Sequence, residues 1–259
     1  MPWRRARAGA IHVLPAVESP QLGNRRDILV YTPGSYGRGA TRYPVIYMQD
    51  GQNLFDPETS FAGDWGLKGA LARASRRGIE TIVVAIPNMG TDRIDEYSPF
   101  ADPRVGGGNG DQYLRFLIDT VKLLVDERFR TQPDRAHTGI AGSSMGGLIS
   151  LYAFFDQPDV FGFTAALSPA LWFANAAIVQ LAQRAPRIAG RVYFDVGLQE
   201  GARHVALARR FRDTLIAKGY DPVREFRFVE DRHGKHNESA WGRRFRKALP
   251  FLIKNGGPA

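Results

Sequence analysis

The sequence predicts an α/β protein with one mostly parallel central sheet, antiparallel strands at its N-terminal end and helices on both faces. Short runs rich in valine and isoleucine alternate along the chain with longer segments of helical period. In such an alternation the helices are crossover connections, so the central strands are parallel and buried on both sides. A chain of 259 residues has the size of one such domain, and we expect residues 1–259 to form a single domain.

The predicted elements follow one another regularly. Strands are predicted at residues 28–31, 45–48, 81–86, 138–141, 163–167, 192–196 and 225–229, and helices at 65–77, 111–129, 145–155, 204–218 and 238–252. A further strand precedes the polar turn at residues 19–24, and a turn this short predicts that the first two strands are antiparallel. The glycine-rich stretch at 105–110 is too short to divide domains.

The formal net charge of +9 would suit an anionic partner, but its distribution does not favour nucleic acid. Only six of the 35 basic residues are lysine, and the arginines are scattered over nearly every segment. We therefore expect a solvated, arginine-rich surface without a specific partner; a preference for negatively charged substrates is the alternative. The densest clusters are Arg4, Arg5 and Arg7, and Arg243, Arg244 and Arg246.

The composition disfavours several classes of protein. The chain has no cysteine, which excludes disulfides, thiolate nucleophiles and thiolate metal sites. No apolar run approaches the roughly 20 residues that span a bilayer, and no apolar signal region follows the basic N-terminus, so we expect a cytoplasmic protein without membrane contact. The H-x-x-H pair His233 and His236 lacks the glutamate and the helix of a zinc protease, so neither a metal nor a cofactor is expected.

Residues 138–147, TGIAGSSMGG, read as a strand, a tight turn and a helix that starts at once. Gly142, Ser144 and Gly146 match the G-x-S-x-G nucleophile elbow, in which the flanking positions need residues without side-chain bulk. The new helix would direct the backbone N–H of Met145 at the oxyanion of a tetrahedral intermediate. The neighbouring Ser143 is out of phase with the glycines and is expected to be structural.

A serine nucleophile needs a base, and the five histidines of the chain are the candidates. In chains with this elbow the base comes last, on the loop after the final strand. His236 lies on that loop and is the predicted base, whereas His233 beside it is expected to be a solvated loop residue. His12 and His137 lie in or at the start of strands and are expected to be structural. His204 is expected to be a solvated residue in the first turn of a helix.

The base in turn needs a carboxylate that orients its imidazole. Glu200 follows the strand at residues 192–196, at the carboxyl edge where the catalytic groups of open α/β sheets gather. Asp195 is the alternative, but it lies inside the strand and is expected to be buried structure. The order of Ser144, Glu200 and His236 is the order of nucleophile, acid and base in hydrolases with this elbow.

Beyond these residues, the chain closely resembles the esterase family of the α/β-hydrolases, which includes esterase D, enterochelin-esterase-like proteins and feruloyl esterase domains. The resemblance covers most of the sequence and implies the α/β-hydrolase fold. As a set, the segments that carry it are specific: VIYMQDGQNLFD, IPNMGTDRIDEYSP, YLRFLIDTVKLLVDERFRT, GIAGSSMGGLISLYAFFDQPDVFGFTAALSPALWF, VYFDVGLQEG and HNESAW.

The resemblance implies that the histidine of the H-x-E-x-x-W segment is the base, and this position is His236, followed in register by Glu238 and Trp241. It also implies an acid in the loop that holds Glu200, where related enzymes often have aspartate.

The resemblance places the second oxyanion donor just after the strand that ends near Asp50, where we expect the backbone amide of Gln52. The sequence independently shows a strand running into a glycine-containing turn there, a suitable context for such a donor. Asp50 itself is expected to brace the loop.

Four further residues fall in loops at the predicted catalytic edge: Trp65, Trp172, Glu96 and Tyr97. The aromatic residues would suit an acyl or aryl pocket, and packing of the loops is the alternative. Glu96 and Tyr97 belong to the segment EYSP, for which structural bracing of the site is favoured.

These observations predict a serine carboxylesterase that acts on a small-molecule ester. A siderophore trilactone and a plant-wall phenolic ester are both conceivable from the resemblance, and no residue is diagnostic of either. Acyl transfer to an alcohol with the same triad is one alternative, and a non-catalytic binding module of this fold is another.

Overall fold

The computed structural model describes residues 9–60 and 63–253. These residues form a sheet of eight strands: β1 (Ala10–Ser19), β2 (Asn24–Thr32), β3 (Val45–Gln49), β4 (Ile82–Ile86), β5 (Thr138–Ser143), β6 (Phe163–Leu167), β7 (Arg191–Gly197) and β8 (Phe226–Asp231). Their order in the sheet is β1-β2-β4-β3-β5-β6-β7-β8. The pairs β1–β2 and β2–β4 are antiparallel, and all other pairs are parallel.

The helices are α1 (Leu67–Ser75), α2 (Arg93–Glu96), α3 (Gly110–Arg115), α4 (Leu123–Arg128), α5 (Met145–Asp156), α6 (Phe173–Arg184), α7 (Ala202–Ala217) and α8 (Glu238–Leu252). The π-helical segment Phe116–Lys122 joins α3 to α4 without a break. Helices α1 and α8 cover one face of the sheet. Helices α3, α4, α5, α6 and α7 pack on the opposite face. None of the helices in the described ranges is long and apolar enough to span a bilayer.

The parallel strands bring the predicted functional segments to one edge. The loops after β3, β5, β7 and β8 all leave from the carboxyl ends of parallel neighbours, and paired residues such as Ser143 and Leu167, or Gly197 and Asp231, lie in register at these ends. Residues 50–53, 144, 198–200 and 232–237 are therefore close in space although they are far apart in sequence.

The predicted fold class is confirmed, including the antiparallel first two strands. Every predicted strand and helix overlaps an observed one, with ends that differ by four residues at most. The prediction missed α6, whose first turn has left-handed backbone at Ala174, Asn175 and Ala176. A helix that begins in this way has no capping residue at its start, so the sequence shows no signal for it.

Candidate active site

Ser144 lies at the turn between β5 and α5, with φ 55° and ψ −120°. A non-glycine residue at positive φ is strained, and such strain is concentrated at functional sites. The two flanking glycines make the turn sterically possible. A Cβ on Gly142 would lie 2.6 Å from the backbone of Gly146, and a Cβ on Gly146 would lie 2.9 Å from the Cβ of Gln49. The turn therefore exposes the Ser144 hydroxyl at the carboxyl edge of the sheet.

His236 connects the serine to a carboxylate. Its Nε2 lies 3.0 Å from Ser144 Oγ, and its Nδ1 lies 2.9 Å from Glu200 Oε2. The ring is held edge-on against Trp241, with 4.9 Å between the ring centroids. Next to it, Asn237 caps α8 by accepting a hydrogen bond from the Ala240 N–H. The cap and the indole fix the direction in which the imidazole points.

Glu200 is anchored on the side away from His236. Its Oε1 accepts hydrogen bonds from the Gly197 N–H at 2.9 Å and the Ser168 hydroxyl at 2.6 Å. Burial alone would raise the pKa of the Glu200 carboxyl, but the hydrogen bonds from His236 and Ser168 and the charges of His236 and Arg244 outweigh it and lower the pKa to about 2. Glu200 is thus ionised at neutral pH and can only accept hydrogen bonds.

Asp195, the alternative acid, lies elsewhere in the same network. It is fully buried and accepts hydrogen bonds from the Ser168 N–H at 3.0 Å and the Tyr193 hydroxyl at 3.1 Å. Burial raises its pKa to about 7, against the opposing effects of Arg244 and of these two hydrogen bonds. The carboxylate that contacts His236 is that of Glu200.

Arg244 is the residue of this network that sequence reasoning placed wrongly, among solvated surface arginines. Its side chain is 2% exposed and lies 3.2 Å from Asp195 Oδ2 and 3.3 Å from Glu200 Oε1. Its Nη2 also donates to the Ser168 hydroxyl at 2.6 Å, which in turn accepts from the Trp241 indole. A usable signal was its spacing three residues after Trp241, on the apolar stripe of α8. Arg4, Arg5 and Arg7 lie outside the described residues.

The two predicted oxyanion donors, the backbone amides of Met145 and Gln52, follow the carboxyl ends of the neighbouring strands β5 and β3. Met145 is the first residue of α5, so its N–H has no acceptor within the helix. Gln52 lies in the short helical turn Gly51–Asn53, which follows the left-handed Asp50, and its side chain is fixed by a hydrogen bond from the Asn88 N–H to Oε1 at 3.2 Å. A Cβ on Gly51 would lie 2.6 Å from the backbone of Ala85, so this turn is pressed against β4.

A cleft of about 950 Å³ opens at Ser144 and His236. On one wall, Asp50 accepts hydrogen bonds from Arg93 Nε at 2.7 Å and Arg93 Nη2 at 2.8 Å, and from Asn88 Nδ2 at 2.7 Å. Asp50 therefore braces the loop. Amide and hydroxyl side chains dominate the remaining lining, among them Gln52, Asn53, Thr59, Ser60, Asn88 and Thr91.

The two tryptophans proposed for a substrate pocket do not line this cleft. Trp65 is 4% exposed and packs against Trp241 and Phe245 in the core between α1 and α8. Trp172 is half-buried against Phe173 on the opposite side of the sheet. Both tryptophans pack against other side chains, since indoles bury large apolar areas. Packing was the alternative to a substrate pocket in the sequence analysis.

Glu96 and Tyr97 are likewise structural rather than part of the cleft surface. Glu96 is 2% exposed and forms a buried pair with Arg26, whose two terminal nitrogens lie 2.8 and 2.6 Å from its oxygens. Tyr97 is fully buried, and its hydroxyl accepts a hydrogen bond from the Asp50 N–H at 3.0 Å. Neither residue lines the cleft, and their contacts support the bracing interpretation that the sequence analysis favoured.

His204 differs from the solvated residue that was expected. It is half-buried, its Nδ1 lies 2.7 Å from the Glu200 carbonyl oxygen, and its ring stacks on that of His236 with 6.0 Å between centroids. The remaining histidines lie in other surroundings: His12 contacts Thr32, His137 contacts Asp134, and His233 is exposed. No group of three or more possible metal ligands occurs within residues 9–60 and 63–253.

The sheet order and this edge arrangement define an α/β-hydrolase. Solved structures agree on the fold: a ferulic acid esterase superimposes with a TM-score of 0.71 at 19% identity, over 95% of this chain and 98% of that one. The enterobactin esterase FES from Shigella flexneri gives 0.74 at 19% identity, over 96% of this chain and 61% of that one. The family model described as "Putative esterase" matches residues 19–252, so the chain belongs to this family and is a carboxylic ester hydrolase.

Curated relatives extend the comparison. The uncharacterized protein YbbA of Bacillus subtilis is 28% identical over 246 residues, which are 90% of this chain and 94% of YbbA. The siderophore triacetylfusarinine C esterase of Aspergillus fumigatus is 32% identical over 164 residues, which are 57% of this chain and 50% of that protein. The siderophore enterobactin esterase of Emericella nidulans is 28% identical over 160 residues. The chain thus spans about half the length of the two siderophore esterases.

Proposed function

We propose that the chain is a serine carboxylesterase that forms an acyl-enzyme on Ser144, with His236 as general base and acid and Glu200 as the orienting carboxylate. The observation that carries the proposal is the continuous path from hydroxyl to imidazole to carboxylate, with contacts of 3.0 and 2.9 Å. A nucleophile and its base within hydrogen-bond reach, with a third group orienting the base, are the signature of nucleophilic catalysis.

In the first half-reaction, His236 Nε2 takes the proton of the Ser144 hydroxyl while Oγ attacks the carbonyl carbon of the ester. The carbonyl oxygen becomes an oxyanion, which the N–H groups of Met145 and Gln52 would stabilise. The bond to the alcohol oxygen then breaks, and the imidazolium gives its proton to the departing alcohol. The acyl group remains on Ser144.

In the second half-reaction, His236 takes a proton from water, the hydroxide attacks the acyl carbon, and Ser144 Oγ leaves with the proton that His236 returns. Water can reach this position because the His236 side chain is 39% exposed at the cleft. Transfer to a second alcohol would use the same three residues and is the alternative reaction.

The buried charges support the roles of His236 and Glu200. Arg244 is the cation shared by the Asp195 and Glu200 carboxylates, and one cation cannot neutralise both. The pKa values of the two carboxyls are pushed apart, to about 7 and about 2, so Glu200 is the ionised partner. The positive charge that forms on His236 during the reaction therefore faces a carboxylate that is already ionised.

The substrate class follows from family membership and from the size of the cleft. We assign a small-molecule ester, in line with relatives named for siderophore and feruloyl esters. The volume of the cleft, about 950 Å³, lies within the range of small-molecule binding pockets.

The test is hydrolysis of p-nitrophenyl butyrate by Ser144→Ala, which should lose kcat by about 10⁴-fold or more, because the nucleophile is removed. Ser143→Ala, at the adjacent position of the same turn, is the matched control and should keep most of the activity. A fluorophosphonate probe should label the wild type and Ser143→Ala but not Ser144→Ala. Wild-type rates in Ser144→Ala would refute the assignment.

A further inference from the structure

Glu238 is a carboxylate in the wall of the cleft that the triad does not use. It is the first residue of α8, two positions after His236, and lines the same cleft as Ser144 and His236. Only 8% of the residue is exposed to solvent. A carboxylate that is partly shielded from water in this way gains stability from hydrogen-bond donors.

Within the described residues, the compensation that Glu238 finds is limited to its own backbone N–H and to the more distant charges of His236 and Arg93. No ion pair and no hydrogen bond from another side chain reaches its carboxylate there. The guanidinium in the same cleft, Arg93, has its Nε and Nη2 directed at Asp50 instead. Asp50 and Glu238 thus line one cleft, and among the described residues the first has side-chain donors whereas the second has none.

Stabilisation of α8 does not account for this placement. The helix is already capped by Asn237, which accepts from the Ala240 N–H at 3.0 Å. A first-turn glutamate stabilises a helix from a solvated position too, so this role does not require a place in the cleft wall. Burial raises the pKa of Glu238, and the nearby charge of Asp50 adds to this effect, against the opposing effects of its own N–H, His236 and Arg93. The position therefore costs the protein free energy in the absence of a ligand.

We propose that Glu238 accepts a hydrogen bond from a hydroxyl of the ester substrate or pairs with its cationic nitrogen, and thereby selects hydroxyl-bearing or cationic esters over anionic ones. The inference rests on the proposed function, since it concerns the substrate of the same site. Thr91 and Asn88, on the wall shared with Gln52, supply further groups that suit a polar substrate. The local preference is opposite to the one that the net charge of +9 would suggest.

The test uses esters that differ only in the donor. On the alcohol side, 2,3-dihydroxypropyl butyrate is compared with its 2,3-dimethoxypropyl analogue. On the acyl side, methyl 6-hydroxyhexanoate is compared with methyl 6-methoxyhexanoate. Charge is tested with butyrylcholine, its neutral isostere 3,3-dimethylbutyl butyrate, and the anion 3-sulfopropyl butyrate. Acid release is followed in a pH-stat, and kcat and KM are determined separately.

The wild type should prefer the hydroxyl ester in at least one pair and disfavour the sulfonate. Glu238→Ala should lower kcat/KM for that hydroxyl ester about tenfold to a hundredfold, mainly through KM, and leave its methoxy partner within about threefold. Glu238→Gln keeps an acceptor oxygen but removes the charge. This variant should therefore retain more of the preference for the hydroxyl ester than Glu238→Ala does. It should lose any preference for butyrylcholine over 3,3-dimethylbutyl butyrate. The two results together distinguish a hydroxyl ligand from a cationic one.

Glu58→Gln removes a carboxylate from the exposed part of the loop at residues 51–60, outside the cleft lining, and should leave all ratios unchanged. Equal losses on every ester in Glu238→Ala would overturn the inference and assign Glu238 to the triad or to folding. Unchanged ratios in both pairs and in the charge series would overturn it as well. Failure of the proposed function would look different, since Ser144→Ala would then hydrolyse the same esters as the wild type.

Discussion

Two adjacent arginines of α8 have opposite surroundings. The Arg243 side chain is 46% exposed and lies 3.6 Å from Asp231, whereas the Arg244 side chain is 2% exposed and lies between Asp195 and Glu200. A helix turns by about 100° per residue, so neighbours in sequence face different sides. Arginine is thus a solvated surface charge at position 243, whereas at position 244 it is a buried cation that contacts the candidate acid, Glu200.

The exposed side of α8 continues the pattern of Arg243. Together with α1 it forms a surface groove of about 320 Å³ lined by Arg73, Arg77, Arg243, Arg246 and Lys247. All five side chains are exposed, so water and salt screen their charges. The buried side of α8, in contrast, holds its charges in a medium where each one strongly affects its neighbours. The comparison teaches that burial, and not residue type, decides the energetic weight of an arginine here.

The largest expected effect comes from removing the anion on the buried side. Glu200→Gln should keep the shape of the side chain but lower kcat about 10³- to 10⁴-fold, because a neutral amide neither stabilises the imidazolium nor enforces the tautomer of His236. Steady-state hydrolysis of p-nitrophenyl butyrate measures it. Glu230→Gln, on β8 in an exposed pair with Arg209, is the control and should be close to wild type. A Glu200→Gln variant with wild-type kcat would show that another group orients His236.

A smaller effect is expected from the cation itself. Arg244→Met leaves Asp195 and Glu200 buried without their shared partner, and should destabilise the protein by about 3 kcal/mol and lower kcat/KM about tenfold to a hundredfold. Arg243→Met, one residue away, should change the free energy of unfolding by less than about 0.5 kcal/mol. Urea unfolding and ester hydrolysis compare the two variants. Equal effects of the two substitutions would remove the contrast between the two sides of α8.

The third expected effect is a pH dependence of the free energy of unfolding, with opposite signs at the two carboxylates of the buried side. The pKa of Glu200 is lowered from 4.5 to about 2, so its stabilisation is present above pH 4.5 and lost as the pH falls towards 2. The pKa of Asp195 is raised from 3.8 to about 7, so its neutral form favours folding below pH 3.8, and this contribution is lost as the pH rises towards 7.

Urea unfolding at several pH values, with Glu200→Gln and Asp195→Asn as references, measures both contributions as differences from the wild type. The difference should grow with pH between 2 and 4.5 for Glu200, and shrink with pH between 4 and 7 for Asp195. Slopes of the same sign would contradict the division of the two pKa values.

Much of the candidate site was predictable from local patterns. Ser144 was predictable because the elbow is a local structure, with glycines at fixed distances that leave room for a strained turn. His236 and Glu200 were predictable because the carboxyl ends of parallel strands meet at one edge, so strand order alone brings their loops together. The sequence left Trp65 and Trp172 open between a substrate pocket and loop packing, because a position in a loop does not determine which way a side chain points.

By itself, the sequence determined the alternation of strands and helices, the turn that exposes Ser144, and the order of the three candidate residues Ser144, Glu200 and His236 along the chain. Only the tertiary structure decided that Arg244 is buried beneath Glu200, that Asp195 shares this cation without reaching His236, and that Glu238 lines the cleft without a partner side chain among the described residues. The physical reason is that strand and turn preferences are encoded over a few neighbouring residues. The burial and pairing of a charge, in contrast, depend on segments that are distant in sequence and meet only when the sheet and its helices pack.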